Sequence, residues 1–277
     1  MPVLNAASFE QQVAAIIRAA AEEAILPRFR QLLATEVEEK SPGELVTIAD
    51  RDAEVLISRQ LLDLLPGSRV VGEEAASANP ALLDEVGTGA VWLVDPLDGT
   101  SNFVQGRPDF AVLVALLQDG ETVASWQFSP TSGALHTARK GAGAFIDGVR
   151  IHTTPARPLS QCRGAILTRF LPAAFKARAE QWSAGIAEVL PGAKCAGVDY
   201  PNVATGEQDF VMFWRLLPWD HAAGCLFLNE AGGRCAHQDG SGYRVDSKRK
   251  GLIAAASQPM WESFTGLLNT KGYSPGA

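Results

Sequence analysis

Three short acidic segments concentrate the residue types in this chain that could do chemistry. Gly72-Glu73-Glu74 places two adjacent carboxylates directly after the apolar stretch Arg69-Val70-Val71. Taken alone, that pattern reads either as a solvated strand edge or as a pair of acids aimed into a site. Asp95-Pro96-Leu97-Asp98-Gly99-Thr100-Ser101-Asn102 is denser. The apolar run Val91–Val94 delivers Asp95 at a strand end, Pro96 stiffens the turn, and Asp98-Gly99 permits a tight bend. Two carboxylates three residues apart, one at a strand end and one in the turn, reach a hard cation from two directions. Oxygen-only ligands suit Mg²⁺, which takes octahedral oxygen and keeps waters. Gly99 lets the backbone approach a ligand closely, and the amides behind it can hold an anion at a helix start. The competing reading is an Asx-turn followed by an N-cap, with no ligand at all. The third segment is Trp219-Asp220, where Asp220 by itself is most simply a helix N-cap.

The elements that must position these acids follow from periodicity. Ser8 and Gln11 form a capping-box pattern ahead of Val13, Ile17, Ala20 and Ala24 at helical spacing, and Pro27 ends that helix. Ser41-Pro42-Gly43 reads as a break. A second helix is expected from Asp50 to Pro66-Gly67, with Ala53, Leu56, Ile57, Leu61, Leu64 and Leu65 as its buried stripe. Asp50, Asp52 and Glu54 crowd its first turn, where the dipole favours negative charge. Strands at 69–71, 91–94, 110–117, 122–128 and 144–146, punctuated by Asp119-Gly120 and Asp147-Gly148, predict an antiparallel sheet. From Arg163 onward strands and helices alternate: strands at 164–168, 211–216 and 252–256, helices at 173–189, 220–231 and 260–268, with Gly232-Gly233 as a helix stop. The expected architecture is an α+β part over residues 1–160 and an α/β part over 161–277, packed as layers with a boundary near Ser160.

Composition narrows the function classes. The 277 residues carry 24 Lys+Arg against 31 Asp+Glu, a net charge of −7, which argues against bulk nucleic-acid binding. Hydrophobic residues make up 47% and charged residues 20%, the balance of a globular chain with a real core. An apolar run such as Ala111–Leu117 falls far short of the ~20 residues that cross a bilayer. Residues 1–10 lack the layout of a signal peptide, so a cytoplasmic protein without a membrane partner is expected. Cys162, Cys195, Cys225 and Cys235 form no CxxC pair and read as reduced core thiols, not as a zinc site.

Together the segments resemble the inositol monophosphatase family, within the lithium-sensitive, Mg²⁺-dependent sugar-phosphatase superfamily. The family's GEE, DPxDGTxNF and WD-x-A-x-G segments stand here as Gly72-Glu73-Glu74, Asp95 through Phe103, and Trp219 through Gly224. Leu45-Val46-Thr47-Ile48-Ala49-Asp50 is similar to its LVT-x-x-D segment. The resemblance implies a layered αβαβα sandwich and Mg²⁺-dependent hydrolysis of a phosphate monoester by water, without a covalent enzyme intermediate. It implies Glu73, Asp95 and the Leu97 carbonyl as ligands of one ion. Asp95, Asp98 and Asp220 would hold a second, and Glu73 is extended to a third, weaker ion. Asp50 and Thr100 are implied as the pair that orients the attacking water, with Glu73 beside them. Asp98, Gly99, Thr100 and Ser101 are implied on the substrate, a small phosphorylated alcohol or sugar, and a homodimer is expected. Glu74 matches the family's adjacent acid.

The pattern breaks at one place. Where animal inositol enzymes carry a Glu seven residues before the WD aspartate, this chain has Phe213, which cannot accept a hydroxyl hydrogen bond. Phe213 and Trp214 read as core aromatics or as a stacking surface. Arg215 reads as a phosphate contact or a surface cation, and His221 as a packing histidine. Inositol 1-phosphate therefore stands beside histidinol phosphate, fructose 1,6-bisphosphate and 3′-phosphoadenosine 5′-phosphate as candidate substrates. A haloacid-dehalogenase-type phosphatase would need one residue, not two, between the aspartates. A non-catalytic relative would be expected to have lost one of the acids.

Overall fold

The computed structural model describes residues 6–271. Helix α1 (Ala6–Ala20) buries Val13, Ile17 and Ala20, widens into a π turn at Ala21–Ile25, and ends where Pro27 lacks the N–H to continue it. Ser8 lies inside this helix and bonds Gln12, at 3.2 Å between side chains, so the expected Ser8–Gln11 capping box is not formed. Ser41-Pro42-Gly43 is no mere break. It turns a hairpin of β1 (Val37–Ser41) and β2 (Glu44–Thr47), with Gly43 at φ +78°. Helix α2 (Ile48–Leu64) starts two residues before Asp50. Thr47 is its N-cap, accepting from the Ala49 amide, and Asp50 reaches back to the Thr47 amide at 2.8 Å.

Next come β3 (Arg69–Gly72), α3 (Glu73–Ala78), β4 (Ala90–Asp98), α4 (Thr100–Val104), β5 (Ala111–Gln118), β6 (Glu121–Phe128), β7 (Leu135–Arg139), β8 (Gly143–Ile146) and β9 (Val149–Ile151). Strands β3 to β9 form a seven-stranded sheet in chain order, with β3 parallel to β4 and every later pair antiparallel. Asp119-Gly120 and Asp147-Gly148 turn two of its hairpins with both residues left-handed, as primed turns require.

The remaining elements are β10 (Arg163–Ile166), α5 (Ala173–Lys176), α6 (Ala179–Ser183), β11 (Glu188–Leu190), α7 (Ala196–Thr205), β12 (Phe210–Phe213), α8 (Pro218–Glu230), β13 (Arg234–Ala236), β14 (Leu252–Ala255) and α9 (Gln258–Thr270). Their five strands run in the order β11-β10-β12-β14-β13, the first three mutually parallel. The single helix expected over 173–189 is two short helices and a strand. Gly185 takes φ +98°, and the chain beyond it pairs with the edge of β10, Val189 opposite Gly164. Strands β10 and β12 are also shorter than expected, which frees the loops after them to face a cavity. Helix α7 was not expected at all, because Gly197 and Pro201 mask its helical pattern.

The layers run α1–α2, seven-stranded sheet, α7–α8, five-stranded sheet, α9 with α6, an αβαβα sandwich. The apolar stretch of α8 is explained by its place between two sheets: every residue from His221 to Leu228 is buried. Gly224 lets α8 lie against α7, because a Cβ there would run into the Tyr200 ring.

Candidate active site

Parallel β3 and β4 run side by side with Gly72 opposite Val94, so Glu73 leaves β3 beside residues 95–98, the last stretch of β4, which stays paired with β5. Helix α8 brings Asp220 to the same place from the other side. Its N-cap is Leu217 and Asp220 is the third helical residue, so the simple N-cap reading of Asp220 does not hold. Glu73, Asp95, Leu97, Asp98, Gly99, Thr100, Ser101 and Asp220 all line one cavity of about 460 Å³. Asp50 is absent from that lining. It sits behind Thr100, whose hydroxyl stands 3.0 Å from Asp50 Oδ1 and 3.0 Å from the Leu97 carbonyl.

The electrostatics are those of crowded, dehydrated acids. Burial pushes Asp95 well above the carboxylate range, and Glu73, Asp98 and Asp220 push it further. Burial takes Asp98 to about 7, against the pull of the Gly197 amide at 2.6 Å and the Cys195 thiol at 3.2 Å. Asp220 is raised by burial and then by Asp98 and Glu73. Asp50 reaches about 7, chiefly by burial. Among the described residues no three His, Cys, Asp or Glu side chains are drawn in around a single cation position. Asp98 is turned instead toward Gly197 and Cys195.

Gly99 caps α4 at φ +87°, with room for no Cβ beside the Asp109 carbonyl. The first turn of α4 leaves the amides of Thr100 and Ser101 without helical acceptors. Asn102 donates to the carbonyls of Asp109 (2.7 Å) and Ala193 (2.8 Å), tying this turn to the loop before α7.

Three functional neighbours were missed from sequence. Lys40, on β1, donates to Glu73 (2.9 Å) and Glu74 (2.7 Å). Burial opposes its charge, but the two glutamates hold its pKa above the usual value. Glu54 accepts from the amides of Glu74 (2.8 Å) and Ala75 (2.9 Å), capping α3. Its place four residues after Asp50, on the same helix face, was the available signal. Asp199, on α7, lines the cavity with one oxygen bonded to the Ala193 amide and the other without a hydrogen-bond partner.

Phe213 is buried at the end of β12, stacked on Tyr200 at 5.1 Å and set edge-to-face with His221 at 4.7 Å. Trp214 packs on Phe175 at 5.2 Å. The guanidinium of Arg215 pairs with Glu44 and lies 3.9 Å from the Phe170 ring centre. His221 is a packing residue between Tyr200 and the Arg215 carbonyl, and burial holds it down at about 4, uncharged near neutrality.

A model of the inositol monophosphatase family matches residues 7–271. The chain belongs to the inositol monophosphatase family. Membership makes it a phosphoric monoester hydrolase by class. An inositol-1-monophosphatase of Rhizobium meliloti strain 1021 is 33% identical over 229 residues, 79% of this chain and 82% of the relative. A fructose-1,6-bisphosphatase/inositol-1-monophosphatase of Thermotoga maritima is 31% identical over 218 residues, 78% and 80% of the two chains. The crystal structure of extragenic suppressor protein suhB from Bartonella henselae superposes with a TM-score of 0.80 at 28% identity, covering 97% of this chain and 99% of that one. The layered sandwich is thus the family's fold, and the three acidic segments of this chain converge on one cavity.

Proposed function

We propose that this family member hydrolyses a small phosphate monoester with water, at a divalent-cation site built on Glu73, Asp95, Asp98 and Asp220. The observation that carries the reading is the meeting of these carboxylates from β3–α3, β4 and α8 at one pole of the cavity. The donor set fits Mg²⁺: it is all oxygen, and burial followed by like charge drives Asp95, Asp98 and Asp220 toward the neutral form, which bound cations would reverse. Glu73, Asp95 and the Leu97 carbonyl would hold one ion, Asp95, Asp98 and Asp220 a second, and Glu73 would reach a third. Bound Mg²⁺ neutralises a phosphate dianion and acidifies water.

The chain's own residues supply the rest. Thr100 presents its hydroxyl to the attacking water, and Asp50, hydrogen-bonded behind it, fixes which way that hydroxyl points. Asp50 therefore acts as a positioning residue through Thr100. The amides of Gly99, Thr100 and Ser101 face the phosphate, and Asp98 the substrate's near side. Lys40, bonded to Glu73 and Glu74, sets a positive charge in the lining of the same cavity. The candidate substrates are inositol 1-phosphate, histidinol phosphate, fructose 1,6-bisphosphate and 3′-phosphoadenosine 5′-phosphate, in that no Glu stands at 213 to select a polyol.

We also read the chain as a cytoplasmic homodimer with no nucleic-acid or membrane partner, divided near Ser160 into subdomains of residues 1–160 and 161–277. Four free, buried cysteines support the reducing compartment. Among the described residues no helix is long and apolar enough to cross a membrane. The test of the function is phosphate release from the four esters in Mg²⁺ and in chelator. Release that needs Mg²⁺ supports the reading, and release of equal rate in chelator refutes it.

A further inference from the structure

The cavity has a second pole of opposite charge, and the topology explains it. Strands β11, β10 and β12 are adjacent and parallel, so their C-terminal ends lie along one sheet edge. That edge is where ligands seat in parallel sheets. Each strand is followed, within four residues, by one basic side chain that lines the cavity: Arg169 after β10, Lys194 after β11 and Arg215 after β12. Glu73, Asp95, Asp98 and Asp220 come from the ends of β3 and β4 and from α8, so these three cations reach the cavity from the other sheet, while Lys40, on β1, stands with the acids.

The state of the three cations is informative. Arg215 is paired with the Glu44 carboxylate in the hairpin turn, so this pole already accepts an anionic oxygen group. Arg169 donates to the carbonyl of Gly43 in the same turn. Lys194 is exposed, has no ion-pair partner among the described residues, and sits at φ +60°, a conformation unfavourable for a lysine. The lining also carries Phe213, which offers a polyol no acceptor. Asp199, five residues after Lys194, also lines the cavity and can accept one hydroxyl through its unpartnered oxygen.

The geometry points to a substrate whose leaving alcohol bears a second anionic group, phosphate or carboxylate, bound by Lys194, Arg169 and Arg215 while the scissile phosphate occupies the acidic pole. This rests on the hydrolytic reading above and narrows its substrate class.

The test uses matched pairs: fructose 1,6-bisphosphate against fructose 1-phosphate, and 3-phosphoglycerate against glycerol 3-phosphate. The quantity read is the ratio of kcat/KM within each pair, for the native chain and for Lys194→Gly, alone and with Arg169→Met. Glycine accepts the backbone conformation of residue 194, so the single variant removes the charge without adding strain. The expected result is a preference for the two-anion member in at least one pair. In the double variant that ratio should fall by about tenfold, through KM, as befits two exposed charges. A response confined to the first pair identifies phosphate, and one confined to the second identifies carboxylate. Ratios near one in the native chain, or unmoved by both variants, overturn the inference. Should no ester be turned over, the hydrolytic reading fails separately. Calorimetric titration with the same four compounds then decides the basic pole: a two-anion preference lost in the double variant upholds it, and equal binding overturns it.

Discussion

Gly72→Ala should damage this protein far more than a glycine-to-alanine change at an ordinary strand end. Gly72 has φ −91°, a conformation alanine adopts freely, so backbone preference alone favours the variant slightly. The obstacle is steric. A Cβ on residue 72 would lie inside 3 Å of the Glu54 carboxyl group, 2.6 Å from Oε1. Glu54 is buried and accepts the two amides that open α3, so it cannot retreat without releasing both. A hydrogen bond to a charged acceptor is worth roughly 1.5–3 kcal/mol. Loss of two, softened by partial rehydration, predicts a destabilisation of about 2–4 kcal/mol. Displacing the first turn of α3 also shifts Glu73, and a shift near 1 Å in a site can lower turnover about 100-fold. The assay is urea unfolding of Gly72→Ala, Glu54→Ala and the double variant. Because both single changes break the same bonds, the double variant should lie within about 0.5 kcal/mol of Glu54→Ala. Additive effects would show that Gly72 and Glu54 are not coupled and that this account of the α3 start is wrong.

Asp95→Asn should lower turnover on the order of 10³-fold, since Asp95 is read as shared by two cations, and much more than Glu74→Gln; similar rates in the two variants would misplace the bridge. Thr100→Ala should lower kcat strongly at nearly constant KM, because its hydroxyl is read as acting on the nucleophile; a large rise in KM at constant kcat would move Thr100 to phosphate binding. Burial raises Asp199 to about 6 in the folded chain, against about 3.9 unfolded. A raised acid favours folding in its protonated form, so its contribution is complete below about pH 4 and is lost as pH rises through about 6. Asp199→Asn should therefore gain stability relative to the native chain between pH 4 and pH 7, by at most about 3 kcal/mol; urea midpoints showing a pH-independent difference would contradict this.

What could be read without coordinates was local. The Asp98-Gly99 bend and the left-handed Asp-Gly turns each follow from a few consecutive residues, whereas the strand expected to end at Asp95 runs on to Asp98, still paired with β5. The three acids of the second helix show where local reading ran out. The charge pattern alone credits all three to the helix dipole, and only the family resemblance pairs Asp50 with Thr100; in the structure Asp50 caps the helix and meets Thr100, Asp52 pairs with Arg28 at 2.8 Å, and Glu54 serves a different helix. Lys40 was invisible because its partners are more than thirty residues away and its hairpin looked like a break. Helix α7, with Asp199, was hidden by Gly197 and Pro201, whose intrinsic preferences oppose a helix that packing against α8 enforces. The over-long helix at 173–189 failed for the converse reason: a helical composition yielded to pairing with β10.

The most direct test of the central claim is the initial rate of phosphate release, over the panel of four esters, by protein stripped of metal with chelator and then supplied with Mg²⁺. The account predicts no release after stripping and restoration on adding Mg²⁺, with Asp95→Asn failing to recover. Equal rates with and without chelator, or no release from any of the four esters in Mg²⁺, would contradict it.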